Sequence, residues 1–207
     1  MASQHTQPLT WDAGSFIGGS LCLDFCNTQG GRTKARDLER LTSYQAAVSW
    51  ASAAHGSSAS EAQTLRQMAQ AAPELARRSL EELQVFRESL HCLISALVAG
   101  EAPEPADLER LRAAICAAIS AAALLRHETG VSWVVAVDAT GLKTLAARIA
   151  LSAQQLLSSD EVVHVRECER CSWLFVDRSK NKLRRWCNTQ TCGNRARAAR
   201  HYQMSKA

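Results

Sequence analysis

The sequence has no hydrophobic run long enough to cross a membrane, which takes about 20 apolar residues. Its longest nearly apolar segment, residues 113–125, is interrupted by Ser120. Residues 1–8 have neither a positively charged start nor an apolar stretch, so they do not predict an export signal. We therefore expect a cytoplasmic protein that has no membrane partner.

The sequence also lacks the residue patterns of common enzyme sites. We find no serine, histidine and aspartate arrangement that indicates a nucleophilic triad, and no glycine-rich loop that would hold a phosphate. With 207 residues, 46% of them hydrophobic, the chain is long enough for one folded domain and a small additional module. These observations favour a binding protein over an enzyme.

Acidic residues are scarce near the C-terminus. Residues 164–207 contain eleven lysines and arginines and three acidic residues, a net charge of +8. The rest of the chain has 13 basic and 17 acidic residues, a net charge of −4. This uneven distribution predicts a nearly neutral folded domain and a basic module that attracts a polyanion.

Half of the eight cysteines lie close together in this basic module. They are Cys168, Cys171, Cys187 and Cys192, with the spacing C-x2-C, fifteen residues, C-x4-C. The spacing is typical of a structural zinc site, and without an export signal a metal is favoured over disulfides. Four thiolates fill the tetrahedral coordination of Zn²⁺ and leave no position for water or substrate. We predict one structural zinc ion and no catalytic residue.

The hydrophobic pattern of the first 160 residues predicts a mainly helical domain. Helical periodicity covers residues 36–52, 60–71, 73–100, 107–119 and 142–157. Alternating apolar residues after the turn Glu128-Thr129-Gly130 predict a hairpin whose first strand covers about 123–127. The segment 14–31 fits either a helix or a strand.

The expected fold class is therefore mainly α with a small β-hairpin, an α+β protein. We predict two domains, residues 1–160 for sensing or dimerisation and residues 161–207 for the zinc-binding module. Residues 160–167 are expected to link them. Within the second domain, residues 173–176 are expected to form a strand that covers the metal site.

Two basic segments follow the first cysteine pair. In residues 177–186 the candidates for phosphate contacts are Arg178, Lys180, Lys182, Arg184 and Arg185. A solvated charge run is the alternative for this segment, but its attachment to a zinc site favours nucleic-acid binding.

The second basic segment follows Cys192 and has helix-forming residues. On this helix Asn194, Arg197 and His201 share one face, and Arg200 lies beside it. Asn194, Arg197 and Arg200 are candidates both for reading bases in a major groove and for anchoring phosphates. Arg195 is also a nucleic-acid candidate, although we expect it to offset the charge of the thiolates.

The sequence around these residues resembles the CGNR zinc finger, named after the run Cys192-Gly193-Asn194-Arg195. Residues 19–28 are similar to the motif Gly-x-Leu-x-Leu-Asp-Phe-x-Asn-Thr of the ABATE domain, which precedes this finger in the family. The resemblance implies a bacterial, stress-responsive transcription regulator whose finger binds DNA and whose larger domain senses a signal. The finger is then expected to be treble-clef-like or zinc-ribbon-like and to end in a helix.

Polar residues inside the ABATE-like motif are candidates for ligand binding. Asp24 and Asn27 stand among apolar residues, where capping or hydrogen bonding in the core is favoured over a ligand site. Cys22 and Cys26 are expected in the core, with a redox or metal pair involving His55 or His91 as the alternative.

The leading hypothesis is a zinc-dependent regulator that binds duplex DNA as a homodimer and responds to a small-molecule effector. The helical domain is expected to supply the dimer contacts. One alternative is a zinc-stabilised module that binds an acidic protein surface. Another is an RNA-binding finger in which Trp186 and Tyr202 stack on bases. Cys92 and Cys116, on predicted helices, are expected in the core.

Overall fold

The protein is described by a computed structural model that covers residues 11–205. Residues 1–10, for which the sequence predicts no export signal, lie outside this range. The elements are α1 (Leu21–Cys26), α2 (Tyr44–Ala53), α3 (Ala59–Ala71), α4 (Pro73–Ala99), α5 (Pro105–Ala121), β1 (Ala123–His127), β2 (Gly130–Val134), α6 (Val137–Thr140), α7 (Thr144–Leu157), β3 (Val165–Glu167), β4 (Leu174–Val176) and α8 (Asn194–Met204). The predicted fold class, mainly helical with a small sheet, is confirmed.

The longest helix, α4, follows the sequence pattern closely. It starts at Pro73, which has no backbone N–H to leave unpaired, and ends before Gly100, whose left-handed φ of 75° closes the last turn. Leu83, Leu90 and Ile94 form part of its buried stripe. This stripe faces the short helix α1, which also contacts α7 and β4 and so lies at the centre of the core.

Helix α2 is shorter than predicted. It begins at Tyr44 after Ser43, whose hydroxyl accepts a hydrogen bond from the backbone N–H of Ala46. The preceding residues 36–42 form a loop, although Leu41 within it is fully buried. The loop is held by a buried arginine of α4, because Arg87 donates hydrogen bonds to Glu39. The apolar periodicity therefore indicated correctly that Leu41 is buried, but the prediction that residues 36–42 belong to the helix was wrong.

Strands β1 and β2 form the predicted antiparallel hairpin, with Leu124 opposite Trp133 and Leu125 opposite Ser132. All ten residues of the two strands are exposed. The hairpin is connected to the domain by α5, which ends at Ala121, and by α6, which begins at Val137.

The predicted linker is wrong, because residues 160–167 are part of the packed structure. Asp160–His164 form a 3₁₀ helix, and β3 pairs with β4 in an antiparallel sheet. The apolar side chains of Val165, Leu174 and Val176 belong to the same buried cluster as α1. The zinc-binding module is therefore joined to the helical domain by a shared core.

Cys92 and Cys116 are also not in the core, as both are exposed. A helix turns about 100° per residue, so the buried stripe of α4 passes through Leu90, Leu93 and Ile94 and leaves Cys92 outside. Cys22 and Cys26, by contrast, are buried among apolar side chains as expected.

Candidate metal centre and nucleic-acid interface

Four elements bring the clustered cysteines to one point. Cys168 follows β3, Cys171 precedes β4, Cys187 follows the basic segment 177–186, and Cys192 lies in the turn before α8. The Sγ atoms of Cys171, Cys187 and Cys192 lie 3.6–3.7 Å apart, and all four sulfurs are within 4.8 Å of one another. Zinc–sulfur bonds of about 2.3 Å in a tetrahedron require sulfur atoms about 3.8 Å apart. The geometry fits one Zn²⁺ ion.

The thiols also need a cation for electrostatic reasons. Hydrogen bonds from Cys171 and Cys187 lower the pKa of Cys168 well below its usual range. The hydrogen bond that Cys171 donates to Cys168 raises the pKa of Cys171 to about 12. Four thiolates so close together repel one another unless a divalent cation lies between them.

An apolar cover surrounds the sulfurs. All four cysteines are buried, and they pack with Trp173 and Phe175 in a cluster separate from the main core. Within residues 11–205 this is the one group of three or more potential ligand residues that could hold a metal. A closed set of four thiolates under apolar cover is the pattern of a structural zinc site, which stabilises the fold.

Two family models match the chain. Residues 164–204 match the CGNR zinc finger, and residues 19–160 match ABATE, described as "Putative stress-induced transcription regulator". The chain belongs to the ABATE family. No curated protein matches the sequence. The suspected architecture is thus confirmed, and the CGNR finger holds one structural zinc ion through its four cysteines.

The ABATE domain is attached to the finger by buried hydrogen bonds. Asn27, 1% exposed, donates from Nδ2 to the carbonyl oxygen of Leu174 at 2.8 Å and accepts at Oδ1 from the Leu174 N–H at 2.8 Å. Nε2 of His91 donates to the Ser172 carbonyl at 2.8 Å. Lys34 Nζ donates to the Cys168 carbonyl at 2.6 Å. These bonds fix the first cysteine pair relative to α1 and α4.

The candidate ligand residues of the ABATE motif have intramolecular partners. Both amide atoms of Asn27 are used by Leu174, as described above, and Asp24 Oδ1 accepts a hydrogen bond from the Gly18 N–H at 2.7 Å. Burial raises the pKa of Asp24 to about 6. A ligand role for these two residues stays a prediction.

One buried carboxylate shapes the basic loop of residues 177–186. Asp177 accepts hydrogen bonds from the backbone N–H groups of Ser179 at 2.9 Å and Arg184 at 2.8 Å. Burial opposes the ionisation of Asp177, but these hydrogen bonds prevail and lower its pKa to about 2. The loop is therefore folded back on itself, with Lys182 donating to the Asp177 carbonyl at 2.9 Å.

The basic side chains of this loop have different surroundings. Arg178 is paired with Glu161 at 2.7 Å and Arg185 with Glu169 at 2.5 Å, and all four side chains are about half exposed. Arg184 turns inward, where it stacks 4.6 Å from the Phe175 ring centroid and donates to backbone carbonyls near Cys187. Lys180 is exposed. Sequence reasoning could not separate the inward arginine from the outward ones.

The last helix, α8, stands out from the finger. It has no buried residue, and its contacts run to the turn Thr189–Gly193 that contains Cys192. Arg197 donates to Asn194 Oδ1 at 2.6 Å, so the two side chains form one unit on the predicted face. Arg195 and Arg200 are exposed.

Two further arginines, which the sequence analysis missed, lie beside the zinc ligands. A cleft of about 370 Å³ between the finger and the ABATE domain is lined by Arg32, Arg40 and Arg195 together with Cys187 and Cys192. Arg40 stacks 4.8 Å from the Trp173 ring centroid. A zinc ion held by four thiolates carries a net negative charge, which suits this cationic lining. That Arg195 offsets this charge stays a prediction. No short-range sequence pattern links residues 32 and 40 to the finger.

No helix within residues 11–205 is long and apolar enough to span a membrane.

Proposed function

We propose that this ABATE-family protein is a zinc-dependent transcription regulator whose CGNR finger binds duplex DNA. The observation that carries the proposal is α8, an eleven-residue helix with no buried side chain and no acidic residue. A helix that buries none of its side chains gains little stability from tertiary packing. Because α8 is anchored at its start by the zinc site, most of its length is exposed and can enter a major groove.

The side chains of α8 suit base readout. Arg197 and Asn194 together offer hydrogen-bond donors and an acceptor at the start of the helix, where recognition helices contact base edges. Arg195 and Arg200 extend the positive charge on either side. We assign Asn194 and Arg197 to base readout and the other two to phosphates.

The basic loop is proposed to hold the DNA backbone. Lys180 and Lys182 carry positive charge on the loop surface, and Arg178 and Arg185 can exchange their exposed carboxylate partners for phosphates. Exposed ion pairs contribute at most about 1 kcal/mol, so the exchange costs little. Arg184 is proposed to position the loop because its guanidinium is already used inside the finger.

The experiment is fluorescence anisotropy of the zinc-loaded full chain with a duplex obtained by selection from random DNA. With the six proposed phosphate contacts the slope of log K against log salt is expected to be about −5. Arg197→Ala should relax sequence preference at one or two positions, whereas Lys180→Ala should weaken all sequences alike. Arg112→Ala, an exposed arginine on α5, is the matched control. Absent or salt-insensitive binding would refute the proposal.

Competition separates the DNA proposal from the other two functions. Single-stranded RNA would have to displace duplex DNA if the finger bound RNA by stacking. The structure gives this little support, because Trp186 packs against the zinc cluster and carries Arg185 over its ring at 5.2 Å. A protein-docking module would retain an acidic protein partner after nuclease treatment.

Sensing is proposed for the ABATE domain, residues 1–160, and DNA binding for residues 161–207. The shared core and the Asn27 hydrogen bonds give a physical route by which a small-molecule effector bound to one unit could change the other. We place the protein in the bacterial cytoplasm on the strength of this regulatory role. The family assignment concerns a regulator and a zinc finger and names no enzymatic activity.

A further inference from the structure

The β1–β2 hairpin exposes an unusual amount of apolar surface. Five large side chains are between 39% and 61% exposed: Leu124, Leu125, Val131, Trp133 and Val134. The strand register places Leu124, Val131 and Trp133 on one face and Leu125 and Val134 on the other. Within residues 11–205, all ten strand residues stay exposed, so neither face of the hairpin is buried there.

The backbone of the hairpin is also incompletely paired. In the part of the chain that the structure describes, each strand has a hydrogen-bonded neighbour on one side only, because the sheet contains two strands. Open strand edges carry unpaired N–H and C=O groups, and an isolated two-stranded hairpin is marginally stable in water. A further strand on either edge would pair these N–H and C=O groups and would extend the sheet to which the apolar side chains belong.

A groove lies directly beside the hairpin. It has a volume of about 500 Å³ and runs along β2, with Leu21 of α1 and Leu151 of α7 on its other wall. Trp133 and Val131 line the groove as well. The same surface of the molecule therefore offers both a projecting apolar element and a recess next to it.

We propose that this hairpin is the contact surface of a symmetric dimer, in which it packs against the hairpin and groove of a second copy of the chain. A two-fold contact requires one patch that is complementary to itself, which a projecting strand edge beside a recess provides. The two hairpins then form a four-stranded antiparallel sheet.

The area agrees with a dimer. The five side chains together leave on the order of 400 Å² of apolar surface exposed, divided between the two faces, which is comparable to the largest apolar patch of a typical monomer and often marks a functional surface. A standard interface buries about 800 Å² on each partner, so the strand backbones and groove walls need to supply about the other half. The charge of the hairpin also agrees with a dimer. Its two strands and their turn contain Arg126, His127 and Glu128, so their net charge is close to zero. A near-neutral surface selects neither an acidic partner nor a polyanion.

Sedimentation of the zinc-loaded full chain without DNA tests the proposal. At micromolar concentration we expect twice the chain mass for the wild type and the single mass for Leu124→Thr with Val131→Thr. Threonine keeps the β-propensity of the strands while it removes apolar surface. Val85→Thr with Val163→Thr, which changes exposed apolar residues on α4 and near β3, is the matched control and should remain dimeric.

Three outcomes would overturn the proposal: a monomeric wild type, a hairpin variant that stays dimeric, or a control that dissociates. As a second measurement on the unmodified chain, amide exchange in residues 130–134 should slow at least tenfold between dilute and concentrated protein. Concentration-independent exchange there would also contradict the dimer. These readouts need no DNA, so their failure is distinguishable from failure of the proposed DNA binding.

Discussion

Replacing Asn27 by alanine should weaken the attachment of the finger to the ABATE domain while all four zinc ligands stay in place. The Asn27 amide satisfies both backbone groups of Leu174, at 2.8 Å each, across 147 positions of sequence. Alanine removes both partners, and each unpaired buried backbone group costs about 1–3 kcal/mol. We expect a loss of about 3 kcal/mol in total, toward the lower end of the summed range for the two groups. This is a large share of the roughly 5–15 kcal/mol typical of a folded domain.

Urea unfolding at constant free zinc measures this loss. Amide hydrogen exchange at Leu174 gives the local counterpart, and its protection should fall about 100-fold if about 3 kcal/mol is lost there. Asn181→Ala is the matched control, because Asn181 is exposed in the basic loop. It should change stability by less than about 0.5 kcal/mol.

The reasoning would be refuted by Asn27→Ala protein that matches the control in both measurements. That result would mean that the shared core of Val165, Leu174 and Val176 holds the finger without help from the amide. If the Asn27 variant lost zinc, the stability change would also include the loss of the metal and would not measure the amide hydrogen bonds alone. Such a loss is not expected, since Asn27 makes no hydrogen bond to a ligand sulfur.

Further predictions concern the metal, the carboxyl group of Asp24 and the buried arginine Arg87. Cys171→Ser should lower bound zinc from one ion per chain to almost none by atomic absorption, whereas Cys92→Ser, at an exposed cysteine, should leave it unchanged. Asp24→Asn should stabilise the protein by about 3 kcal/mol at pH 7.5 and by about half of that at pH 5 in urea unfolding. Burial raises the pKa of Asp24 to about 6, so ionisation of this carboxyl lowers the stability of the wild type as the pH rises from about 4 to 6. A stabilisation of equal size at both pH values would contradict this prediction. Arg87→Met should cost roughly 3 kcal/mol in the same assay because Arg87, 1% exposed, donates to Glu39 and Glu88 inside the fold. A loss no larger than that of the exposed Arg112→Met would show that this network adds no stability.

The zinc site and the long helices could be predicted because their signals are local. The spacing of four cysteines defines the ligand set without knowledge of the rest of the chain. Helix α4 begins at Pro73 and ends at Ala99, just before Gly100, and the backbone chemistry of the proline and the glycine sets these limits. The turn at Glu128 and Thr129, flanked by alternating apolar residues, likewise identified the hairpin.

Features that depend on distant residues could not be predicted. The junction was expected to be a linker because no local pattern shows that Asn27 meets Leu174. Arg87 fixes residues 36–42 as a loop from α4, which helical periodicity cannot reveal. In the hairpin, the alternation of Val131 and Trp133 predicted the strand but gave no information on its burial, and among the described residues both of its faces are exposed.

The most direct test of the account is the affinity of the full chain for duplex DNA as a function of zinc occupancy. Zinc is removed with a chelator and restored in steps, and anisotropy with a selected duplex is read at each step. The account predicts that DNA binding rises in proportion to bound zinc and saturates at one ion per chain, because the metal fixes the start of α8. Equal DNA affinity for the zinc-free and zinc-loaded chain would contradict it.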